Sequence, residues 1–180
     1  MSNVGITLDV EDMLKAAGVI SGAANRTDDA ARRAINRTGD QAFTVVKRVV
    51  ARQMGIRVGV AADAMRRKRA DYGWLTYSIQ AKGGYLSLKY FGARQTRKGV
   101  SAAPWNVRRI FPHTFIVKSL DGHVFVRTSA KRHPIEKKWG PALPNELVRG
   151  ETLKAFQETV VTVLPRRLEH ELARLLARSA

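Results

Sequence analysis

The chain has 180 residues, of which 44% are hydrophobic, and its formal net charge is +17. This length suits one domain, or one domain with a helical appendage. The absence of cysteine excludes disulfide bonds and thiolate metal sites. No apolar run approaches the ~20 residues that span a membrane, so we expect no membrane partner. The charge implies an anionic partner or neutralisation inside an assembly, the alternative being a soluble protein with solvated Lys and Arg.

The N-terminal third is predicted to be mainly one long helix. Weak alternation predicts a short strand over Val4–Val10, and one or two helical turns could follow within Glu11–Ile20. Apolar residues then recur at spacings of three and four, which predicts a helix from Asp28 to Met54. Gly39 lowers the local helix propensity by roughly 1 kcal/mol relative to Ala and could mark a bend. Gly55 would end the helix as a C-terminal cap.

The middle of the chain is predicted to be mainly strands. A second, short helix is predicted over Val58–Arg69, after which apolar and polar residues alternate as in half-buried strands. The predicted strands are Leu75–Ala81, Tyr85–Phe91, Thr114–Lys118 and His123–Thr128. Gly83-Gly84 would join the first two as a hairpin, and Asp121-Gly122 would join the last two.

The C-terminal part is predicted to be helical again, after an irregular stretch around His133–Pro144. Leucines and other apolar residues at helical spacing predict a helix from Glu146 to Leu164, a kink at Pro165, and a helix onward to Arg178. The fold class is therefore α+β: an antiparallel sheet of about four strands packed with a long N-terminal helix and a kinked C-terminal helix. We expect an α+β domain over residues 1–145, with a helical segment over 146–180 packing on the same core.

The positive charge is concentrated in one part of the chain. Residues 44–118 hold sixteen Lys or Arg and two acids, which is +14 of the total +17. Within this part, the candidate contact residues for an anionic partner form a basic block, at 66–69, and a cationic loop, at 92–109. They are Arg66, Arg67, Lys68 and Arg69 in the block, and Arg94, Arg97, Lys98, Arg108 and Arg109 in the loop. Phe91 and Trp105 are the predicted anchors of the loop.

Two physical uses of this charge remain open. One is contact with phosphates, which makes affinity depend on salt. The other is contact with acidic faces of neighbouring subunits. The basic block has a third interpretation as the solvated end of a helix, where cations are favoured by the helix dipole. Aromatic residues in this part of the chain could serve as stacking platforms if exposed, but at strand positions we expect most of them in the core.

The residue inventory offers little for catalysis. None of the four histidines is paired at a helical spacing that would bind a metal ion, and no cysteine assists them. A phosphate-binding glycine loop and a nucleophile elbow are both absent. A two-metal nuclease needs clustered carboxylates, and the basic part of the chain has only two acids. We therefore predict no catalytic, cofactor or metal site, and a protein that is not an enzyme.

Several strings resemble the phage minor tail protein Z family, the tail completion proteins of long-tailed phages. They are Ala34–Asp40, Phe91–Ser101, Val124–Thr128, Arg132, Pro134-Ile135 and Trp139–Pro141. His133 and Trp139 depart from the family pattern, which has Leu and Tyr there. Together the strings cover roughly residues 34–144, and the central and later ones are the more specific.

This resemblance implies a structural virion protein at the head-proximal end of the tail. Such proteins complete the tail and make it competent to join the DNA-filled head. The implied partners are the tail terminator, neighbouring tail or connector proteins, further copies of the chain in a ring, and the end of the packaged DNA; no cofactor is implied. Assembly is expected in the host cytoplasm, because the first residues lack the pattern of a signal peptide. The charge alone supports an alternative, a free basic nucleic-acid-binding protein.

Overall fold

The structure is a computed structural model that describes residues 4–9 and 24–177. In this part of the chain the helices are α1 (Ala24–Met54), α2 (Val58–Ala64), α3 (Leu143–Leu147) and α4 (Gly150–Leu176). The strands are β1 (Val4–Asp9), β2 (Met65–Lys68), β3 (Thr76–Ala81), β4 (Tyr85–Ser87), β5 (Arg94–Thr96), β6 (Gly99–Ala102), β7 (Arg109–Pro112), β8 (Thr114–Val117), β9 (His123–Arg127), β10 (Ile135–Lys137) and β11 (Trp139–Ala142). The α+β class is confirmed. The helical turns predicted within Glu11–Ile20 lie outside the described residues.

The strands form several small antiparallel sheets, not the single sheet of about four strands that was expected. Their orders are β1–β3–β2, β5–β6–β7, β8–β9–β10 and β4–β11. The β8–β9 hairpin was predicted correctly, with Asp121-Gly122 in its connection. Small sheets with short strands need another layer to cover their apolar faces. For the β1–β3–β2 sheet, α1 and α3 contribute to this layer.

Helix α1 is the central element of the core. It begins at Ala24, four residues earlier than predicted, and ends at Met54. Its predicted apolar stripe is buried along most of its length, from Ala31 to Val50. The Gly55 N–H donates to the Ala51 carbonyl, and Gly55 has φ +78°, so it is the predicted C-terminal cap.

The hairpin predicted through Gly83-Gly84 does not form. Strand β3 pairs with β1 on one edge and with β2 on the other, so it has no edge left for β4. Strand β4 pairs with β11 instead, near the C-terminal helices. Local alternation predicted both strands, but the second ends at Ser87, because Leu88–Phe91 form a 3₁₀ turn. Two of the partners, β1 and β11, come from distant parts of the sequence.

The second helix is shorter than predicted, because it ends at Ala64 rather than Arg69. Met65 adopts extended backbone angles, and the next residues pair with β3 over a register from Met65↔Ala81 to Lys68↔Ser78. The basic block is therefore an edge strand and the residue after it, not a helix end. Long charged side chains on an edge strand discourage pairing with a second chain.

The segment expected to be a cationic loop contains three strands, and the irregular stretch after it contains two more. Strands β5, β6 and β7 form a sheet between residues 94 and 112, with a 3₁₀ turn at Pro104–Asn106. Strands β10 and β11 lie within 133–144. These strands are three or four residues long, and such short segments leave little periodic signal in a sequence.

The C-terminal helix differs from its predicted bounds. A short helix, α3, precedes it, and α4 begins at Gly150 and continues through Pro165 to Leu176. Proline removes one backbone hydrogen bond from a helix, but tertiary packing holds this one on both sides: Leu164 is buried in the core, and Glu171 is bound by two arginines of α1. Helix α4 packs along α1 over much of its length.

Candidate functional site

The cationic segment is a small sheet with a charged tip. Strands β5 and β6 pair from Arg94↔Ser101 to Thr96↔Gly99, which leaves Arg97 and Lys98 as a two-residue turn. The Thr96 hydroxyl donates to the Gly99 carbonyl over 2.7 Å and closes this turn. The backbone of β7 passes so close to Gly99 that a Cβ there would clash with the Phe111 carbonyl. The turn is thus held by the Thr96 hydroxyl and by backbone contacts, while both cationic side chains stay exposed.

The other end of the same sheet carries two more exposed arginines. Arg94 pairs with Ser101 and Arg109 with the adjacent Ala102, so both lie at the end opposite the tip. Their backbones are two strands apart, about 10 Å. Arg108 donates to the Ser101 hydroxyl over 3.2 Å and more weakly to the Gly92 carbonyl over 3.4 Å, so its guanidinium helps to close this end.

The exposed cations of this sheet have no acidic partner in the described part of the chain. This holds for Arg94, Arg97, Lys98 and Arg109. Four unpaired cations on one small sheet create a local positive potential, and such a potential favours an anionic partner.

The basic block is different, because its cations already have partners within the chain. Arg67 and Arg69 contact the two oxygens of Asp40 on α1 at 3.1 and 2.8 Å. The Arg66 guanidinium donates to backbone carbonyls of the preceding turn, and Lys68 lies over the ring of Trp74. The structure therefore separates the nine candidate contact residues into a mainly paired block and a mainly unpaired sheet.

An aromatic groove of about 410 Å³ adjoins the cationic sheet. Three of its side chains are unusually exposed for large aromatics: Tyr85 at 65%, Trp105 at 46% and Trp139 at 50%. Its remaining walls come from Arg109 and Phe111 of β7, from β11, and from α3 with the residues after it. We call the β5–β6–β7 sheet and this groove together the contact face.

The two predicted loop anchors have different environments. Phe91 is buried, and its ring lies so close to Gly140 that a Cβ there would clash with it. Trp105 is exposed, and its indole N–H donates to Glu146 of α3 over 3.2 Å. Phe91 therefore fixes the start of the segment in the core, while Trp105 is oriented by a polar contact and forms a wall of the groove.

A serine and a histidine meet at the back of β4, but their geometry does not activate the serine. The Ser87 hydroxyl is 2.8 Å from Nδ1 of His123, whose Nε2 is 3.1 Å from the Lys137 ammonium. Burial, followed by the charges of Lys137 and Lys89, lowers the pKa of His123. An ammonium can only donate, so Nε2 accepts and Nδ1 carries the proton toward Ser87. His123 in this tautomer cannot take a proton from Ser87, and Ser87 is only 3% exposed.

Two further properties concern the described residues alone. Within 4–9 and 24–177, no three His, Asp or Glu side chains come together as a metal site would require. No helix in these ranges is both long and apolar enough to cross a membrane.

The groove is the part of the contact face that sequence reasoning missed. Its walls come from residues around 85, 105, 140 and 146, which only the fold brings together. Sequence reasoning favoured core positions for the aromatics of the basic segment, and this is right for Tyr77 and Phe91 but wrong for Trp74, Tyr85 and Tyr90. The sequence signal that could have found the groove is a set of large aromatics beside glycine and proline, where neighbouring strands are too short to bury them.

An α+β fold with exposed unpaired cations beside an aromatic groove is typical of a protein that acts by binding other macromolecules. Comparison with protein families identifies the group: the model of prophage minor tail protein Z matches residues 23–179, and the chain belongs to this family. The resemblance read from short strings is thereby confirmed, and it extends over both long helices. Membership indicates a structural protein of the phage tail. Neither a curated protein nor a solved structure matches the chain.

Proposed function

We propose that this protein completes the head-proximal end of the phage tail and supports head–tail joining, as a structural component and not as an enzyme. Family membership supports the tail role. The observation that carries the finer proposal is the contact face, where four cations stay unpaired next to three exposed aromatics. Exposed aromatic side chains are costly to leave in water, and a partner that covers them stabilises them.

The chemistry of the face favours a protein partner. Tyr, Trp and Arg are the residues enriched at protein interfaces, and the groove combines all three. A duplex would need cations along a continuous track of phosphates, whereas Glu146 is one of the residues that line the groove. We propose that an acidic face of a neighbouring tail or connector subunit docks here, and that copies of the chain form a ring that follows the tail symmetry.

A joining assay tests this role. Tails assembled with the Arg94→Glu/Arg97→Glu variant should fail to join heads, because the reversed charge repels an acidic partner. The matched control is Arg48→Glu/Arg166→Glu, two exposed cations on α1 and α4 away from the contact face. Normal joining by the first variant, or equal loss in both variants, would contradict the proposal, provided circular dichroism shows that each protein is folded.

The net charge supports a second candidate, direct binding of nucleic acid by the free protein. On this reading, duplex or single-stranded oligonucleotides bind the isolated chain, and the affinity falls steeply as salt rises. Titration at ~50 mM salt decides the matter, because a protein with several phosphate contacts binds measurably there. Absence of binding removes this candidate and leaves the protein partner.

A further inference from the structure

A second cationic feature lies away from the contact face, between α1 and the end of the basic block. It is a cleft of about 240 Å³, lined by Arg32, Arg33, Asn36, Arg37, Arg69 and Ala70. Four of these six residues are arginines, and none is an acid. Residues of the contact face do not contribute to its lining.

The carboxylates that hold these arginines do not line the cleft. Arg33 and Arg37 of α1 donate to the two oxygens of the buried Glu171, at 2.8 and 2.6 Å. Asp29 binds Arg32 and Arg33, and Asp40 binds Arg69. The guanidinium groups are thus fixed from outside, as substrate-binding arginines are when their rotamers are locked by neighbouring acids.

The arrangement leaves positive charge and donors to spare. Five arginines, the four of the cleft and Arg67, share the three carboxylates Asp29, Asp40 and Glu171. Each guanidinium has five N–H groups, and each contact above uses only one or two of them. One of the spare donors is a buried orphan: Nε of Arg32 has no hydrogen-bond partner in the described part of the chain.

The walls of the cleft are otherwise rigid. Asn36 is buried, and its side-chain amide donates to and accepts from the backbone of Ala70, at 2.9 Å each way. This pair ties the helix to the strand end and fixes Arg69 opposite the arginines of α1. The Arg32 guanidinium in turn lies over the Tyr72 ring, 4.4 Å from its centroid.

We propose that this cleft binds a phosphate-type oxyanion, either a free phosphate or a phosphate of a nucleic-acid backbone. Four guanidinium groups around one cleft offer more N–H donors than a flat carboxylate can accept, and a tetrahedral anion has three or four acceptor oxygens. Such an anion neutralises the excess charge of the four arginines that line the cleft. The cleft shares no lining residue with the contact face. Anion binding in the cleft can therefore be tested separately from the role in tail joining.

The test follows the Arg32 Nε–H signal by NMR of the full chain labelled with ¹⁵N. Inorganic phosphate is titrated at constant ionic strength, against chloride as reference. A saturable shift of this signal is the expected result. A short duplex, added at the same phosphate concentration, distinguishes the sources: a shift with both indicates a backbone phosphate, and a shift with inorganic phosphate alone indicates a small ligand.

Two variants separate the site from general charge attraction. Arg69→Gln removes one wall of the cleft from a half-exposed position and should weaken phosphate binding about tenfold. Arg94→Gln removes one charge from the contact face and should change it by less than about twofold. No saturable shift in the unmodified protein, or an equal weakening by both variants, would overturn the proposal. The wild-type titration stands even if Arg69→Gln does not fold.

Discussion

The ring of Tyr77 lies directly against the backbone of Gly39. A Cβ at position 39 would come within 3.0 Å of several atoms of this ring, a separation that real Cβ atoms do not show. The Tyr77 hydroxyl continues past the helix and donates to Asp40, over 2.9 Å. The mid-helix glycine is therefore required for the packing of α1 on β3. This close contact accounts for a glycine in the middle of the helix, with no need to invoke a bend there.

Gly39→Ala should destabilise the protein despite the higher helix propensity of alanine. Propensity favours alanine by about 1 kcal/mol, while forcing an extra methyl group into a packed core costs about 1–3 kcal/mol, and more where the neighbour is a rigid ring. We expect the free energy of unfolding to fall by about 1–2 kcal/mol, measured by urea denaturation.

The matched control is Gly59→Ala in α2, where a Cβ would have no neighbour within 4 Å. This change should be neutral or slightly stabilising, because only propensity acts. If Gly39→Ala is as harmless as Gly59→Ala, the close contact with Tyr77 is not what requires glycine.

Glu171→Gln should loosen the packing of α4 on α1. The carboxylate is fully buried and accepts from both Arg33 and Arg37. Glutamine removes the negative charge and replaces one of the two acceptor oxygens with an NH2 donor, so one guanidinium loses its acceptor. Removing one partner of a buried ion pair costs about 3–5 kcal/mol, but Arg37 is 42% exposed and water compensates in part. We expect a loss of about 2 kcal/mol in the free energy of unfolding.

Glu158→Gln provides the control on the same helix. Its pair with Lys154 is exposed and 3.9 Å long, and such pairs contribute about 0–1 kcal/mol. A loss of similar size in the two variants would show that the buried position of Glu171 gives it no special weight.

Acid should weaken the same contact between the helices. Burial alone would raise the pKa of Glu171, but the hydrogen bond from Arg33 and the charges of Arg37, Arg33 and Arg174 outweigh burial and lower it. A carboxyl with a lowered pKa gives stability that is present above its unfolded pKa, about 4.3, and lost as the pH falls through the folded pKa.

Wild-type protein should therefore lose stability on acidification below about pH 4.3, and Glu171→Gln should lose less. Some loss of stability remains in the variant, because Asp29 also has a lowered pKa. The hydrogen bond from Arg32 is the largest cause of that lowering. Urea denaturation at a series of pH values measures both curves. If stability falls equally with pH in wild type and variant, Glu171 is not a source of the acid sensitivity.

The long elements of this fold were predictable from the sequence, and the short ones were not. Helix α1 was recognised because its apolar stripe persists over many turns, and the β8–β9 hairpin because a turn signal joins two alternating segments. Strands β5 and β6 are only three and four residues long, so they gave no period to detect. Strand β2 was assigned to a helix because its residues favour helix locally, while pairing with β3 decides otherwise.

The sequence predicted which cations make up the candidate site, but not which of them are paired with acidic residues. The sequence indicated which cations cluster along the chain, but not which of them are neutralised by other parts of it. Asp40 is 27 residues from Arg67 and 29 from Arg69 in sequence, yet it binds both. Glu171 is distant from Arg33 in the same way. Contacts of this kind depend on tertiary packing, which no local pattern encodes.

Gly99→Ala should disrupt the cationic sheet. A Cβ at position 99 would clash with the Phe111 carbonyl on β7, and residue 99 has φ +133°. We expect faster amide hydrogen exchange in β5 and β6, with little change in α1. Gly83→Ala is the control, because residue 83 has a similar φ of +124° but open space around its Cβ. Equal effects of the two changes would attribute the result to backbone strain alone.

Because some basic residues are paired with acids and others are not, variants of the two sets should differ in stability. Asp40→Ala removes the acceptor of Tyr77, Arg67 and Arg69 together. It leaves a buried phenol without its partner and two cations close together, so we expect a loss of about 2 kcal/mol in the free energy of unfolding. Arg97→Gln removes an exposed cation without an acidic partner in the described chain and should stay within about 0.5 kcal/mol of wild type.

The same pair of variants should behave in the opposite way in the joining assay. Arg97→Gln should weaken joining, because its charge is free to meet a partner. Asp40→Ala should join normally at a temperature where it remains folded, because Asp40 acts within the chain. Thermal unfolding measured beside the joining assay separates the two effects. A stability loss in Arg97→Gln as large as that in Asp40→Ala would mean that Arg97 stabilises the fold itself. Its charge would then not be available to bind a neighbouring subunit.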